Sequence, residues 1–175
     1  PLDFVLVSSH CFMGSDPYQE DMFQNRDAIA VCRSYLQDLY PCLRRIDPAL
    51  FSALAHLDYL AKGFGATYLP DGLFRYAYAP DEMDALMRYA IENGHCIEIN
   101  TSCPQSLCGN DAPVLGWLKR YHELGGEFVT FGSDAHQVRR FGEGLELAKE
   151  RAREAGIRYV ATYTAMQPEL HLLGD

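Results

Sequence analysis

The chain has 175 residues, 48% of them apolar and 22% charged, which is enough for one globular domain with a sizeable core. Its 24 acidic residues against 15 basic ones give a net charge of −9, which argues against a nucleic-acid-binding surface as the main function. No apolar run approaches the ~18 residues of a membrane span and no secretory signal is visible, so the reading is a cytoplasmic protein with no membrane partner.

The chain starts Pro1-Leu2-Asp3 and enters a strand over 4–9 almost at once, which reads as a piece of something longer. A helix is expected over 25–46, with Ile29, Cys32, Leu36, Leu39 and Leu43 at steps of three and four. A strand follows over 51–56. The segment 62–80 breaks the rhythm with Gly63, Gly65, Pro70, Gly72 and Pro80 among Phe64, Tyr68, Phe74, Tyr76 and Tyr78. It reads as a long aromatic loop fit to cover part of a substrate. Asp81 is expected to cap a helix over 82–93 closed by Gly94. His95–Asn100 reads as a strand, and Asp111 or Pro113 opens a helix ending at Gly125-Gly126, after a second loop over 101–110. A strand over 127–132, a helix over 142–155 closed by Gly156, and a last strand over 157–162 complete the alternation. Five strands separated by helices predict an α/β fold of parallel β/α units, whose sites lie beyond the carboxyl ends of the strands.

Three strand ends carry metal-ligand residue types. Val5-Leu6-Val7-Ser8-Ser9 leads to His10, Phe51–Ala55 leads to His56, and Phe128–Gly132 leads to Ser133-Asp134-Ala135-His136. Asp134 and His136, two residues apart, are expected on one side of the pleat. In a parallel sheet all these ends share one face, so His10, His56, Asp134 and His136 predict a shared site for Zn²⁺, Mn²⁺ or Fe²⁺ with room for water. Asp58 is placed to orient a ligand. Glu98 and Asn100 alternate on one strand face. Asn100, at the strand end, is placed to hold a substrate or a ligand, whereas Glu98 reads as a ligand or a structural residue. His95, His122 and His171 read as structural. The six cysteines (Cys11, Cys32, Cys42, Cys96, Cys103 and Cys108) have no tight paired spacing and read as reduced buried thiols; a zinc on His95, Cys96, Cys103 and Cys108 lacks a CxxC hook. The sequence has no GxGxxG, Walker A or GxSxG motif.

Ser8-Ser9-His10, Ala55-His56-Leu57-Asp58, Ile97-Glu98-Ile99-Asn100-Thr101-Ser102 and Gly132-Ser133-Asp134-Ala135-His136 occur in an order and at spacings that resemble the PHP (polymerase and histidinol phosphatase) family, in particular its histidinol-phosphatase branch. The resemblance implies a distorted barrel of about seven β/α units with up to three divalent metals at the carboxyl ends of its strands. It implies hydrolysis of a small phosphomonoester by a metal-activated water, as in histidine biosynthesis. His10, His56, Asp134 and His136 are then metal ligands, with Asp134 and His136 also catalytic. The His-x-His opening of the family is absent. Residues 1–175 therefore resemble the last two-thirds of the domain, a single partial unit without its first strands and roughly half its ligands. The Arg that follows Asn-Thr-Ser in that branch is also absent, Cys103-Pro104-Gln105-Ser106-Leu107 standing there instead. Arg139 and Arg140, or Lys62, are left to meet a phosphate, with a solvated surface role as their other reading.

The alternative from another class is a non-catalytic remnant or interaction domain. Its open strand edges call for a partner, either a second copy or the missing N-terminal segment. A hydrolase of the amidohydrolase type, acting on C–N bonds, is the third reading.

Overall fold

The computed structural model describes residues 2–16 and 18–174; Pro1 of the opening segment lies outside the described residues. The elements in chain order are β1 (Leu6–Val7), α1 (Ala28–Leu43), β2 (Ala53–Leu54), α2 (Gly65–Tyr68), α3 (Pro80–Glu92), β3 (Cys96–Asn100), α4 (Pro113–Glu123), β4 (Phe128–Gly132), α5 (Leu145–Glu154), β5 (Tyr159–Thr164) and β6 (Gln167–Leu172), with short 3-10 turns between them. They build one six-stranded sheet in the order β1-β2-β3-β4-β5-β6.

Strands β1 to β5 pair in parallel and β6 runs antiparallel to β5. Pairing in chain order means that every crossover advances in one direction, with no switch point of the doubly wound kind. Right-handed crossovers then place the helices on one face. In keeping with this, α1 packs on α3, α3 on α4, and α4 on α5. The result is a stretch of β/α barrel wall, as the resemblance implies. Its strands are too few to close.

Strands β1 and β2 are shorter by the pairing criterion than the six residues expected of each, yet their pairing continues beyond the two-residue cores. Ser52 N–H donates to the Val5 carbonyl at 2.8 Å, and Ala55 N–H to the Val7 carbonyl at 2.9 Å. At β3 all five residues are buried, as expected of a parallel strand covered on both faces. Around it pack Met83, Leu86, Met87, Leu118, Tyr121 and Val129, none more than 1% exposed.

Several boundaries are set by local chemistry and differ from those expected. Asp81 does not cap α3. Pro80 is the first helical residue and Ala79 the cap position, so Asp81 and Glu82 act on the helix dipole from the first turn. Helix α4 likewise opens at Pro113 behind Ala112. Helix α5 begins three residues later than expected because Gly142 and Gly144 hold left-handed backbone at φ 76° and 80°. The aromatic segment 62–80 is no open loop. Phe74 is buried in the core, Tyr68 stacks on Phe23 with ring centroids 5.5 Å apart, and Tyr76 donates to Asp84 at 2.8 Å. Phe74, Tyr68, Tyr76 and Tyr78 therefore serve packing, whereas Phe64 is exposed.

All six cysteines are free thiols, but only Cys32 and Cys96 are buried. Cys96 opens β3 and Cys103 lies beyond its far end, roughly 15 Å along the strand or more. That separation rules out the zinc arrangement through His95, Cys96, Cys103 and Cys108.

Strand β6 adds to the five expected. It returns along β5 through a two-residue turn at Ala165 and Met166, both left-handed at φ 50° and 66°. Such turns favour Asn and Gly, and neither is present, so the hairpin carried no signal. The turn is held from outside, where Ala165 N–H donates to Asp3 Oδ1 at 2.9 Å and Met166 N–H to the Asp3 carbonyl at 2.9 Å. The substitution Ala165→Asn keeps these bonds and suits the left-handed position. It is expected to stabilise the chain by about 0.5–1 kcal/mol, read as a higher urea midpoint at unchanged slope.

Candidate functional site

The carboxyl ends of β1 to β4 lie on one rim of the sheet, and the expected residues sit just beyond them: His10 after β1, His56 after β2, Asn100 closing β3 and Asp134 after β4. The rings of His10 and His56 face each other with their Nε2 atoms 3.4 Å apart. Tyr59 stacks on His10 with centroids 4.6 Å apart, and its hydroxyl donates to Asp16 Oδ1 at 3.0 Å. His56 is 8% exposed and His10 is open to solvent. Burial, reinforced by the nearby Lys62 charge, holds the His56 imidazole down to about 4, so it is neutral at physiological pH and its ring is competent as a ligand.

Beneath this pair lies Glu98, a buried carboxyl group on β3. Its Oε2 accepts the main-chain N–H of His56 at 3.0 Å and the Asn100 side-chain amide at 3.3 Å. Burial raises the Glu98 pKa, and these two donors and the Lys62 charge oppose the rise. Asn100 is used at both ends. Its Oδ1 accepts from Lys62 Nζ at 3.2 Å, from Ser102 N–H at 3.0 Å and from the Ser102 hydroxyl at 2.6 Å. Asp58 is buried close by; burial raises its pKa and the Lys62 charge opposes that.

Lys62 joins this interior network to the rim. Its side chain is 10% exposed, and its ammonium group lies 2.7 Å from Asp134 Oδ2. Burial would raise the Asp134 carboxylate, but the bond and charge of Lys62, helped by His56 and His136, outweigh it and hold the group below its usual range. The fit of Lys62 to both Asn100 and Asp134 has no marker in the sequence beyond its position six residues after His56.

The Asp134/His136 pair departs from the expected strand-end geometry. Strand β4 ends at Gly132, and Asp134 takes a left-handed backbone at φ 50°. The alternation of a pleated strand therefore no longer applies. The His136 side chain is 87% exposed; its Nδ1 lies 2.9 Å from the Asp134 carbonyl and 3.9 Å from the carboxylate. Asp134 thus points to Lys62 while His136 stands at the mouth of the site.

A cleft of about 480 Å³ opens beside these groups. Lys62, Ser102, Cys103, Asp134, His136 and Arg140 line it, together with Tyr18 and backbone-rich positions of the 62–73 segment. Of the two arginines expected to meet a substrate, Arg140 lines the cleft, with its Nε on Glu143 at 2.7 Å. Arg139 is exposed, bonds Gln137 Oε1 at 2.8 Å and is not among the lining residues.

The two histidines fit a metal. Nitrogens bound about 2.05 Å from a tetrahedral Zn²⁺ lie about 3.3 Å apart, close to the separation found here. One feature runs the other way: His56 Nδ1 is buried without a hydrogen-bond partner among the described residues, although a ligating imidazole normally gives that N–H to an acceptor. No group of three or more His, Cys, Asp or Glu side chains among the described residues is gathered closely enough to hold an ion. The expected four-residue set is thus present as one histidine pair, one carboxylate held by Lys62, and one outlying histidine.

The depressed His56 pKa has a consequence for stability. Between pH 6.5 and about 4 the unfolded chain takes up a proton that buried His56 does not. The metal-free protein is expected to lose about 3 kcal/mol of stability as pH falls through that window. His56→Gln should flatten this part of the urea-midpoint profile.

No family model matches the chain. Curated relatives do. A probable histidinol-phosphatase of Clostridium acetobutylicum is 31% identical over 160 residues, covering 90% of this chain and 60% of that protein. One from Thermotoga maritima is 26% identical over 159 residues, covering 91% and 59%. Among solved structures, histidinol phosphate phosphatase from Lactococcus lactis, complexed with zinc, L-histidinol and phosphate, matches with a TM-score of 0.81 at 23% identity. The match covers 95% of this chain and 62% of that one, and at this identity it shows a shared fold. No helix among the described residues is long and apolar enough to cross a membrane. Over nearly its whole length the chain is thus similar to curated histidinol-phosphatases, in keeping with the resemblance seen in its motifs, and it spans about three-fifths of the length of the relatives it matches.

Proposed function

We propose that this chain is the part of a metal-dependent phosphoesterase that holds one histidine pair of the metal centre and most of the substrate cleft, acting on a small phosphomonoester of the histidinol phosphate kind. The observation that carries the reading is the 3.4 Å approach of His10 Nε2 to His56 Nε2 on the rim that also bears Asp134. The names of the relatives support the same chemistry, and the zinc in the Lactococcus lactis structure supports a divalent ion.

When bound, a divalent ion supplies a water of lowered pKa and neutralises charge on a phosphate. His10 and His56 would hold it, with Asp134 and His136 as further ligands. Lys62 has its ammonium at the inner end of the cleft, where it can bind phosphate oxygens as a point charge once Asp134 is engaged elsewhere. Arg140 offers a second cation from the opposite loop, in place of the arginine missing after Asn100-Thr101-Ser102. Asn100 holds Lys62 and Ser102 in register. His136 is bonded through Nδ1 to its own loop, which leaves Nε2 as the nitrogen that would meet the ion.

A second reading has its own support. With no group of three or more His, Cys, Asp or Glu gathered among the described residues, the segment would serve as an interaction or regulatory unit that binds no ion until a partner, a second copy or a further stretch of chain supplies the rest.

Metal analysis and phosphate release separate the two. The proposal expects bound Zn²⁺, Mn²⁺ or Fe²⁺ and phosphate release from L-histidinol phosphate only with added metal. His56→Ala should abolish the release, and Lys62→Met should raise KM at least tenfold. Turnover without metal, or turnover surviving loss of both His56 and His136, overturns the phosphoesterase reading. A purified chain that takes up no ion from millimolar Zn²⁺ favours the interaction unit.

A further inference from the structure

Glu98 is neither on the rim nor in the cleft, and nothing in the proposed chemistry uses it. It is nevertheless a carboxyl group buried to 4% exposure in the middle of the sheet, a costly place for one. Three observations converge on it. The β2 ladder to β3 pairs Ala53 with Cys96 and Leu54 with Ile97 and then stops, so the chain leaves the sheet at the residues that carry the histidine. There the His56 N–H meets no strand carbonyl; it donates to Glu98 Oε2 at 3.0 Å. The same oxygen takes the Asn100 amide at 3.3 Å, which leaves Asn100 Oδ1 free for Lys62 and Ser102. Finally, the other carboxylate oxygen occupies space that any side chain at Gly132 would need, since a Cβ there would lie 1.9 Å from Glu98 Oε1.

We infer that Glu98 is a positioning residue, resting on the metal-site reading above: its carboxyl group replaces the missing ladder partner of His56, sets where that imidazole stands against His10, and requires glycine at 132. The side chain takes over a main-chain hydrogen bond at the point where the backbone must peel away from the sheet, so the histidine leaves the strand without leaving an unpaired buried N–H. Glu98 touches neither ion nor substrate. It acts through the His56 main chain on one side and through Asn100 and Lys62 on the other.

A double-mutant cycle on the full chain tests this, with Zn²⁺ affinity by titration calorimetry and hydrogen exchange of the His56 amide as readouts. Glu98→Ala and Gly132→Ala should each weaken Zn²⁺ binding roughly 10- to 100-fold, the range for loss of a group that orients a ligand. Each should also cost the His56 amide its protection. Because Gly132→Ala acts only by displacing the carboxyl group, it should add little in the Glu98→Ala background. Glu98→Gln, which keeps an acceptor of the same shape, should restore most of the affinity. Ile97→Val thins the same strand away from the rim and should lower Tm without moving Zn²⁺ affinity. Unchanged Zn²⁺ affinity in Glu98→Ala, or additive losses in the double variant, overturns the inference. A parent chain that binds no Zn²⁺ refutes the metal-site reading instead; the amide then decides whether Glu98 holds His56, and a protected His56 amide in Glu98→Ala overturns that too.

Discussion

Parallel strands that pair in chain order point their carboxyl ends the same way, and this one constraint organises the molecule. His10, His56, Asn100 and Asp134 are separated by tens of residues, yet each follows a strand of the same sheet and so reaches the same rim. No long-range recognition between these residues is needed to assemble them. Strand pairing and core packing do so, driven by apolar faces such as those of β3 and α3. The polar groups are then left at the one edge where the backbone turns away and can present them.

What the rim costs is visible just below it. Glu98, Asn100, Asp58 and His56 are all buried, and each polar group there demands a partner in a region with little water. Most find one in a connected network. His56 N–H and the Asn100 amide share the Glu98 carboxyl group, Asn100 in turn holds Lys62, and Lys62 ends on Asp134. The open end of the network is His56 itself, whose Nδ1 is unpartnered while its Nε2 faces His10. A cation would be received at the facing Nε2 atoms, through one lone pair from each neutral ring, while the buried His56 Nδ1 still lacks the acceptor that a ligating imidazole normally has.

The cleft beside the rim shows how a shared fold can carry different contacts. The stretch after Asn100-Thr101-Ser102 supplies Cys103 and Gln105 to the lining and no base. Positive charge comes instead from Lys62 on one side and Arg140 on the other. The segment 62–80, an aromatic cover by its sequence, contributes no aromatic ring to the cleft, because Phe74, Tyr68, Tyr76 and Tyr78 are packed on the core by the larger gain from burying them. Strand β6 closes the β5 side of the sheet, whereas β1 pairs only with β2 among the described residues.

The sequence alone determined the parts governed by local periodicity and local chemistry. The alternation of strands and helices was legible because apolar spacing reports which faces are buried, and the glycines after α3 and α5 were legible because left-handed backbone selects glycine. His10, His56 and Asp134 were legible as a converging set because topology alone carries strand ends to one rim. Tertiary structure alone decided the rest. The Lys62–Asp134 bond, the outward turn of His136 and the separation of Arg139 from Arg140 depend on side-chain directions beyond the strand ends, where no repeat governs orientation. Strand β6 formed through a turn of Ala165 and Met166 that Asp3, far away in sequence, holds from outside. The role of Glu98 rests on a main-chain N–H that loses its partner where β2 leaves the sheet. A sequence does not show where a ladder ends, because that point is set by the neighbouring strand.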